Sequence, residues 1–519
     1  MNTLTPKHPL PAQISRCISP VGLVALVCLL GGCTVGPNYQ HPNTAVPAQW
    51  NAPTAGSQTN IEPSLASWWK TFNDPQLDSL IERAVKANHD LRIAAARVRE
   101  ARAQYRIVSA DLWPTLGTGG SYARQNQSKN QPIIGSLDLP SSVPFENDVY
   151  QAGFDAAWEI DVFGGKRRAV EAGKAEVAAA EFGRQKVQVT LLGEVARNYI
   201  ELRGFQRRLD IANKNIKAQE DALALTRDRF TNGLTSDLDV QQAATLLATT
   251  RAVIPSLESS IQASIHRLGV LLGQAPGALL AELSEPAPIP AAPPNVPAGL
   301  PSDLLRRRPD IQQAERQLAA STARIGVATA NLFPKFSLTG LAGFQSISAS
   351  DWFTGNSLFW SIGPTVQWKL FEAGRIRASI RVQNARQEQA LAAYEKTVLT
   401  SLEEVENALV AYAKEQIRRR SLEDAVKSSQ DSLHLANQLY SNGLASFINV
   451  LDAERSLYRT EDDLVQSDRA VTQNLISLYK ALGGGWKIES GLVTTAMAAP
   501  AGTQAAPSTP TGPTREKPL

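Results

Sequence analysis

Two stretches of this 519-residue chain set acids and amides immediately after a tight turn, where long apolar periodicities stop. "RFTNGLTSDLDVQQAATLL" (229–247) carries Asp237 and Asp239 past the turn Asn232-Gly233-Leu234. "LYSNGLASFINVLDAERSL" (439–457) carries Asn449 and Asp452 past Asn442-Gly443-Leu444. Asn-Gly supplies the positive φ that reverses a chain tightly. Thr235 and Ser236 offer hydroxyl caps to the returning helix, Ser236 with Asp239 has capping-box spacing, and Asp237 is an acid in a first helical turn. Asp239 therefore reads either as a helix-start residue or as a gate acid. In the second stretch Ser446 is the expected cap and Asn449 takes the place of Asp239. Asp452 lies about two turns in, past any capping position, one turn from Asn449 on the same face. It pairs with Arg455 on a solvated helix, or it faces a shared axis where several carboxylates favour cations and oppose anions.

Nothing else in the chain makes a reactive set. The five histidines are scattered without metal-ligand spacing. "GTGGSYA" lacks the third glycine of a nucleotide loop, and no G-x-S-x-G occurs. The expectation is a protein that is no enzyme and holds no metal or cofactor, whose work is driven by a partner. A net charge of +3, near +1 once the first 32 residues are removed, does not suggest nucleic acid.

The elements that carry these turns occur twice. Gly443 follows Gly233 at an offset of 210, "WKLFEAGRIRA" answers "WEIDVFGGKRRA", and "NLFPKFSLTG" answers "DLWPTLGTGG". "RPDIQQAERQLAASTA" likewise answers "NHDLRIAAARVREARA". Each half reads as a helix, two strands and a very long helical hairpin. The first half is expected at 76–280, with strands near 112–126 and 149–162 and its tip near 233. The second is expected at 301–486, with strands near 333–346 and 358–371 and its tip near 443. A Pro/Ala linker (281–300) joins the halves and a disordered tail (487–519) follows. Coiled-coil spacing runs through Leu391, Tyr394, Val398, Leu402, Val405, Leu409 and Tyr412. From Gly164 to Phe230 is about 65 residues, or about 100 Å of helix.

The start of the chain has the form of a signal peptide (1–32) ending in Leu30-Gly31-Gly32-Cys33, which resembles a bacterial lipobox. Small residues let a peptidase bind the chain extended, and the Cys33 thiol then takes a diacylglyceryl group. Cys17 and Cys28 leave with the signal, so Cys33 is the one cysteine of the mature chain and no disulfide is possible within it. Thr34, where Asp would hold a lipoprotein at the inner membrane, points to the outer membrane. Residues 33–75 are read as an extended, lipid-anchored segment.

The strands alternate strictly. Tyr150, Ala152, Phe154, Ala156, Trp158 and Ile160 share one face, with Gln151, Asp155 and Glu159 on the other; Trp360, Ile362, Val366 and Trp368 repeat the pattern. Lipid outside and water inside explains it, and no partner sheet is available to cover the apolar face. Four strands cannot close a barrel, and unpaired edges are forbidden in lipid. Strands in a membrane therefore require an oligomer; three copies give twelve strands.

The lipobox, the Trp-Pro and Phe-Pro strand starts, "LRRRPDI" and the twin "NGL" turns together resemble the TolC-like outer-membrane efflux family, in its OprM/NodT-like lipoprotein branch. The resemblance spans roughly Cys33 to Trp486. It implies a mixed α and β membrane protein: a homotrimer with a twelve-stranded outer-membrane barrel continued by a periplasmic α-helical barrel. It also implies a passive exit duct for drugs or other small molecules. A periplasmic adaptor opens such a duct, and an inner-membrane transporter of the resistance-nodulation-division type energises the pump. The tips Phe230, Asn232, Gly233, Leu234 and Tyr440, Asn442, Gly443, Leu444 would meet the adaptor. Asp452, with Asn449, Asp239 and Asp237, would form the gate, and Tyr440 resembles a residue that tethers closed tips. Rival readings are a duct for type I protein secretion, a periplasmic adaptor, and a structural coiled-coil envelope lipoprotein.

Overall fold

The computed structural model describes residues 34–51, 65–126, 128, 145–292 and 299–486. The expected signal peptide, Cys33, most of the loop after the first strand, the middle of the linker and the tail 487–519 lie outside the described residues. The first half comprises α1 (Pro75–Ala87), α2 (His89–Ala110), β1 (Thr115–Asn126), β2 (Glu146–Ile160), α3 (Gly165–Thr231), α4 (Asp237–Arg251) and α5 (Ile254–Leu271). The second comprises α6 (Pro301–Arg307), α7 (Pro309–Ala330), β3 (Lys335–Ser346), β4 (Leu358–Gln367), α8 (Arg375–Ser441) and α9 (Phe447–Ala481).

Two helices, not one, precede the strands of each half. Asn88 leaves α1 with extended backbone, and its Oδ1 accepts from Leu91 N at 3.1 Å, capping α2. In the second half Pro309 keeps Arg308 extended (φ −77°, ψ 118°), which separates α6 from α7. The strands also begin and end differently from the expected bounds. β1 and β3 start after Pro114 and Pro334, at 115 and 335. β2 runs 146–160, and β4 stops at Gln367, leaving Trp368 and Leu370 outside it. Trp368 instead donates from Nε1 to Leu332 O at 3.0 Å, as Trp158 does to Leu112 O at 2.9 Å. The repeated tryptophan thus bolts each helix-to-strand corner.

The strands form one antiparallel sheet in the order β1-β2-β3-β4, which leaves β1 and β4 as open edges. Even-numbered residues line one face, among them Leu116, Phe154, Trp360 and Ile362, all exposed. On the opposite face Gly119 pairs with Gly153 and Gly153 with Gly343, a row of three glycines across adjacent strands. A Cβ on Gly343 would stand 2.7 Å from Gly153 Cα, and one on Gly153 would stand 2.7 Å from Ala342 O. Backbone meets backbone there because there are no side chains between.

α3 and α8 each run 67 residues without interruption, about 100 Å. Both begin at a glycine with positive φ, Gly164 at 74° and Gly374 at 83°. The Asp161 carboxylate accepts from Lys166 N and Arg167 N, at 3.1 and 2.8 Å, in the first turn of α3. The return paths differ: Pro255 in the first turn of α5 interrupts the first, whereas α9 runs on through Val465 at the equivalent position. The main core joins the two halves, with Trp68 stacked on Tyr479 at 5.3 Å. Residues 34–51 lie along this body without regular structure. Val35 N donates to Phe163 O at 3.1 Å, Tyr39 to Glu315 at 3.0 Å, Trp50 Nε1 to Gly299 O at 2.9 Å and Asn51 N to Glu406 at 2.8 Å.

Candidate functional site

The two tips are built alike. Gly233 (φ 72°) and Gly443 (φ 73°) each follow an asparagine whose Nδ2 donates back to a helix carbonyl, Asn232 to Asp228 O at 2.7 Å and Asn442 to Gln438 O at 2.8 Å. Gly233 N donates to Phe230 O and Leu234 N to Arg229 O, at 2.9 and 2.8 Å. Gly443 and Leu444 do the same to Tyr440 O and Leu439 O, at 3.0 and 2.8 Å. This is the left-handed glycine stop of a long helix, with the last carbonyls satisfied by the turn itself. Leu234 and Leu444 are left projecting, 67% and 75% exposed.

Past the turns the hairpins diverge. Asp239 Oδ2 accepts from Ser236 N at 3.4 Å and from Thr235 Oγ1, while the Ser236 side chain makes no capping bond. Asp239 is therefore occupied as a helix start. Asp237 is exposed and accepts from Gln241 Nε2 at 3.4 Å. Ser446, expected to cap the second return helix, stands at its N-cap but makes no side-chain capping bond. Asn449 and Asp452 occupy the exposed side of α9, opposite the buried Phe447, Val450 and Leu451. Arg455 Nη1 lies 4.0 Å from Asp452, whose side chain is 67% exposed. A contact at that length between solvated groups contributes little and leaves the carboxylate available.

A small apolar cluster, Leu223, Val240, Leu247, Tyr440, Phe447 and Leu451 among its members, packs the two hairpins together just inside the tips. Tyr440 is buried beneath Arg229, whose guanidinium lies 4.6 Å from the ring centre and donates to Ser441 O at 3.3 Å. The Tyr440 hydroxyl has no hydrogen-bond partner among the described residues. Phe230, its counterpart in the repeat, is 44% exposed. Arg229 was not among the expected site residues, although its counterpart is Leu439 and that asymmetry is visible in the aligned turns.

Glu454 was also missed. It sits on the buried side of α9, where the first half has Ala244, and burial pushes its carboxyl up to about 7. No ion pair or hydrogen bond to it is found among the described residues. A raised carboxyl pKa means the native state holds the proton more tightly than the unfolded chain does. Stability is then full below the ordinary carboxylate range and falls as pH climbs from about 4.5 to about 7. Glu454→Gln should remove that slope and stabilise the protein by about 2 kcal/mol at pH 8, with little change at pH 4. Thermal unfolding of both forms across this range checks it.

Among the described residues no group of three or more His, Cys, Asp or Glu could hold a metal, and no helix is long and apolar enough to cross a membrane. The features assembled here are an exposed apolar sheet face with open edges, 100 Å helices and paired tips with acids beside them. Known proteins resemble the chain along most of its length. The family described as outer membrane efflux protein matches residues 80–274 and 300–484. The probable efflux pump outer membrane protein TtgC of Pseudomonas putida is 34% identical over 91% of this chain and 97% of its own. The pyoverdine export outer membrane protein OpmQ of Pseudomonas aeruginosa is 33% identical over 90% of this chain and 97% of its own. Among solved structures, the outer-membrane channel OprN superposes with a TM-score of 0.81 at 39% identity, covering 88% of this chain and all of that one.

Proposed function

The chain belongs to the outer membrane efflux protein family, and from that premise we propose that three copies join edge to edge into a twelve-stranded barrel that exports small molecules. It is an outer-membrane channel component of an efflux pump. The observation that carries the closed ring is the sheet, which has an apolar face open to its surroundings and two unpaired edges, β1 and β4; three copies follow the family resemblance. In lipid each unpaired backbone group costs several kcal/mol, so β4 of one copy must pair with β1 of the next until the ring shuts. The long hairpins then continue the duct through the periplasm. Small-molecule cargo is supported by relatives whose names specify efflux pumps and pyoverdine export.

A lipid on Cys33 anchors the mature N-terminus in the outer membrane. Support comes from Thr34 and Val35, which dock on Phe163 and Gly164 just past the end of β2, a strand with an exposed apolar face. The projecting Leu234 and Leu444 with their Asn-Gly turns receive a periplasmic adaptor, and an inner-membrane transporter of the resistance-nodulation-division type supplies the energy. Asp452 is the gate acid: three copies on one axis make a ring of carboxylates, with Asn449 beside each. The duct itself is passive, with no catalytic step.

Purified protein from the outer membrane should migrate as a heat-modifiable species of trimer mass and form cation-selective channels in planar bilayers. Asp452→Ala should raise conductance and weaken cation selectivity; unchanged values would remove Asp452 from the gate. A monomer soluble without detergent would refute the barrel.

A further inference from the structure

The two halves hold their outbound long helices differently at the level of the helix breaks, and the difference is a single exchange of cations. In both halves the residue at the break pins the last carbonyl of the returning helix: Asn88 Nδ2 donates to Leu271 O at 2.9 Å, and Arg308 Nη1 to Ala481 O at 2.9 Å. Leu271 and Ala481 are equivalents in the repeat, as are Glu194 on α3 and Glu404 on α8. Glu194 is gripped by Arg267 of its own returning helix α5, at 2.8 Å. The residue equivalent to Arg267 on α9 is Ser477, which cannot do this. Glu404 is instead held at 2.7 Å by Arg308, from outside the hairpin.

Arg308 is 7% exposed and carries three loads at once. Its Nε and Nη2 are held by Asp310, at 3.0 and 2.6 Å, while Nη1 serves both Ala481 O on α9 and Glu404 on α8. At this level both helices of the second hairpin hang from one buried guanidinium, whereas those of the first are stapled directly to each other; direct α8–α9 bonds, Arg419 to Asp468 and Ser467 to Glu415, come only nearer the tip and let the second hairpin move as a unit. Glu404 is about half exposed and is the one member of the node that can let go without stranding a buried charge, since Asp310 remains.

We propose that Arg308 is the pivot of the second hairpin and that Glu404 is a positioning residue setting the resting place of its tip, while the Glu194–Arg267 staple keeps the first hairpin rigid. From Glu404 to Asn442 is 38 residues, about 57 Å of helix, so a swing of about 5° at the node moves the tip about 5 Å. That is enough to widen a ring of side chains once the apolar cluster inside the tips and the Arg208–Asp462 pair between α3 and α9 have parted. The inference deepens the gate reading above and rests on it for its effect on flow, but the pivot itself belongs to one protomer.

The test uses two substitutions of opposite sign. Glu404→Gln removes the ion pair. Ser477→Arg transplants the staple of the first half onto α9, where it would reach Glu404. Spin labels at Thr231→Cys and Ser441→Cys, in full-length protein diluted with unlabelled chain, report the separation of the two tips within a protomer. Glu404→Gln should broaden that distance distribution and raise open probability in bilayers by roughly two- to fivefold, the effect expected of one half-exposed ion pair. Ser477→Arg should narrow the distribution and lower open probability. Glu194→Gln should leave the second tip and the open probability as they were, because Glu194 and its partner Arg267 both lie in the first hairpin. The pivot is overturned if Glu404→Gln and Ser477→Arg leave the distances unchanged or shift them the same way, or if Glu194→Gln raises open probability as much as Glu404→Gln does. If the distances move as described while conductance does not, the pivot stands and the assignment of Asp452 to the gate fails.

Discussion

Ile362→Arg should abolish the assembled membrane form, while Ser361→Arg, one residue away, should leave it largely intact. Ile362 stands fifth among the ten residues of β4, on the face shared by Trp360 and Val366, and is 67% exposed in the protomer. An arginine near the middle of the lipid-facing band of a barrel costs about 2–4 kcal/mol. Each closed trimer would carry three of them, so the combined cost is of the order of a small domain's whole stability. Ser361 faces the polar side with Thr365 and Gln367, where water solvates a new charge. Outer-membrane fractionation and heat-modifiable gel migration separate the two results. Equal behaviour of the two variants would mean that the faces have been assigned to the wrong solvents.

Gly343→Val should be as damaging, for a different reason. The new side chain would be driven against Ala152 O and Gly153 Cα of the neighbouring strand, backbone atoms that cannot turn aside. Overpacking ordinarily costs about 1–3 kcal/mol, and a collision with main chain belongs at the upper end or beyond. The variant should fail to yield trimer at 37 °C. Gly340→Val is the control, since a Cβ on that inner strand comes no nearer than 4.0 Å to Ala156 Cβ and Ser361 O. Its trimer should survive, and the yield of folded protein after heating to successive temperatures measures the difference.

Features that depend on local spacing were legible in the sequence. The Asn-Gly tips, the 67-residue helices and the alternating faces of the strands each follow from a rule of period or turn chemistry that neighbouring residues satisfy by themselves. What escaped depends on residues far apart in the chain. Asn88 breaks a helical pattern because it must cap α2 and reach Leu271, 183 positions away. Trp368 continues the alternation of β4 yet leaves the ladder for Leu332 O. Ser446 is well spaced as a cap, but Asn449 replaces the acid that, as Asp239, accepts from Ser236 N in the first hairpin. Glu454 looks like any surface glutamate until Ala244, its counterpart, shows that the position belongs to the packed seam.

The stretch 34–51 has a bearing on how the protein is made. It is synthesised near the beginning, yet the groups that receive it extend from Phe163 to Glu406. Its first contact, with Phe163, needs under a third of the polypeptide, but its last, with Glu406, needs about four-fifths. Until then its contacts are incomplete, so the segment finishes docking only after the second half has folded around it.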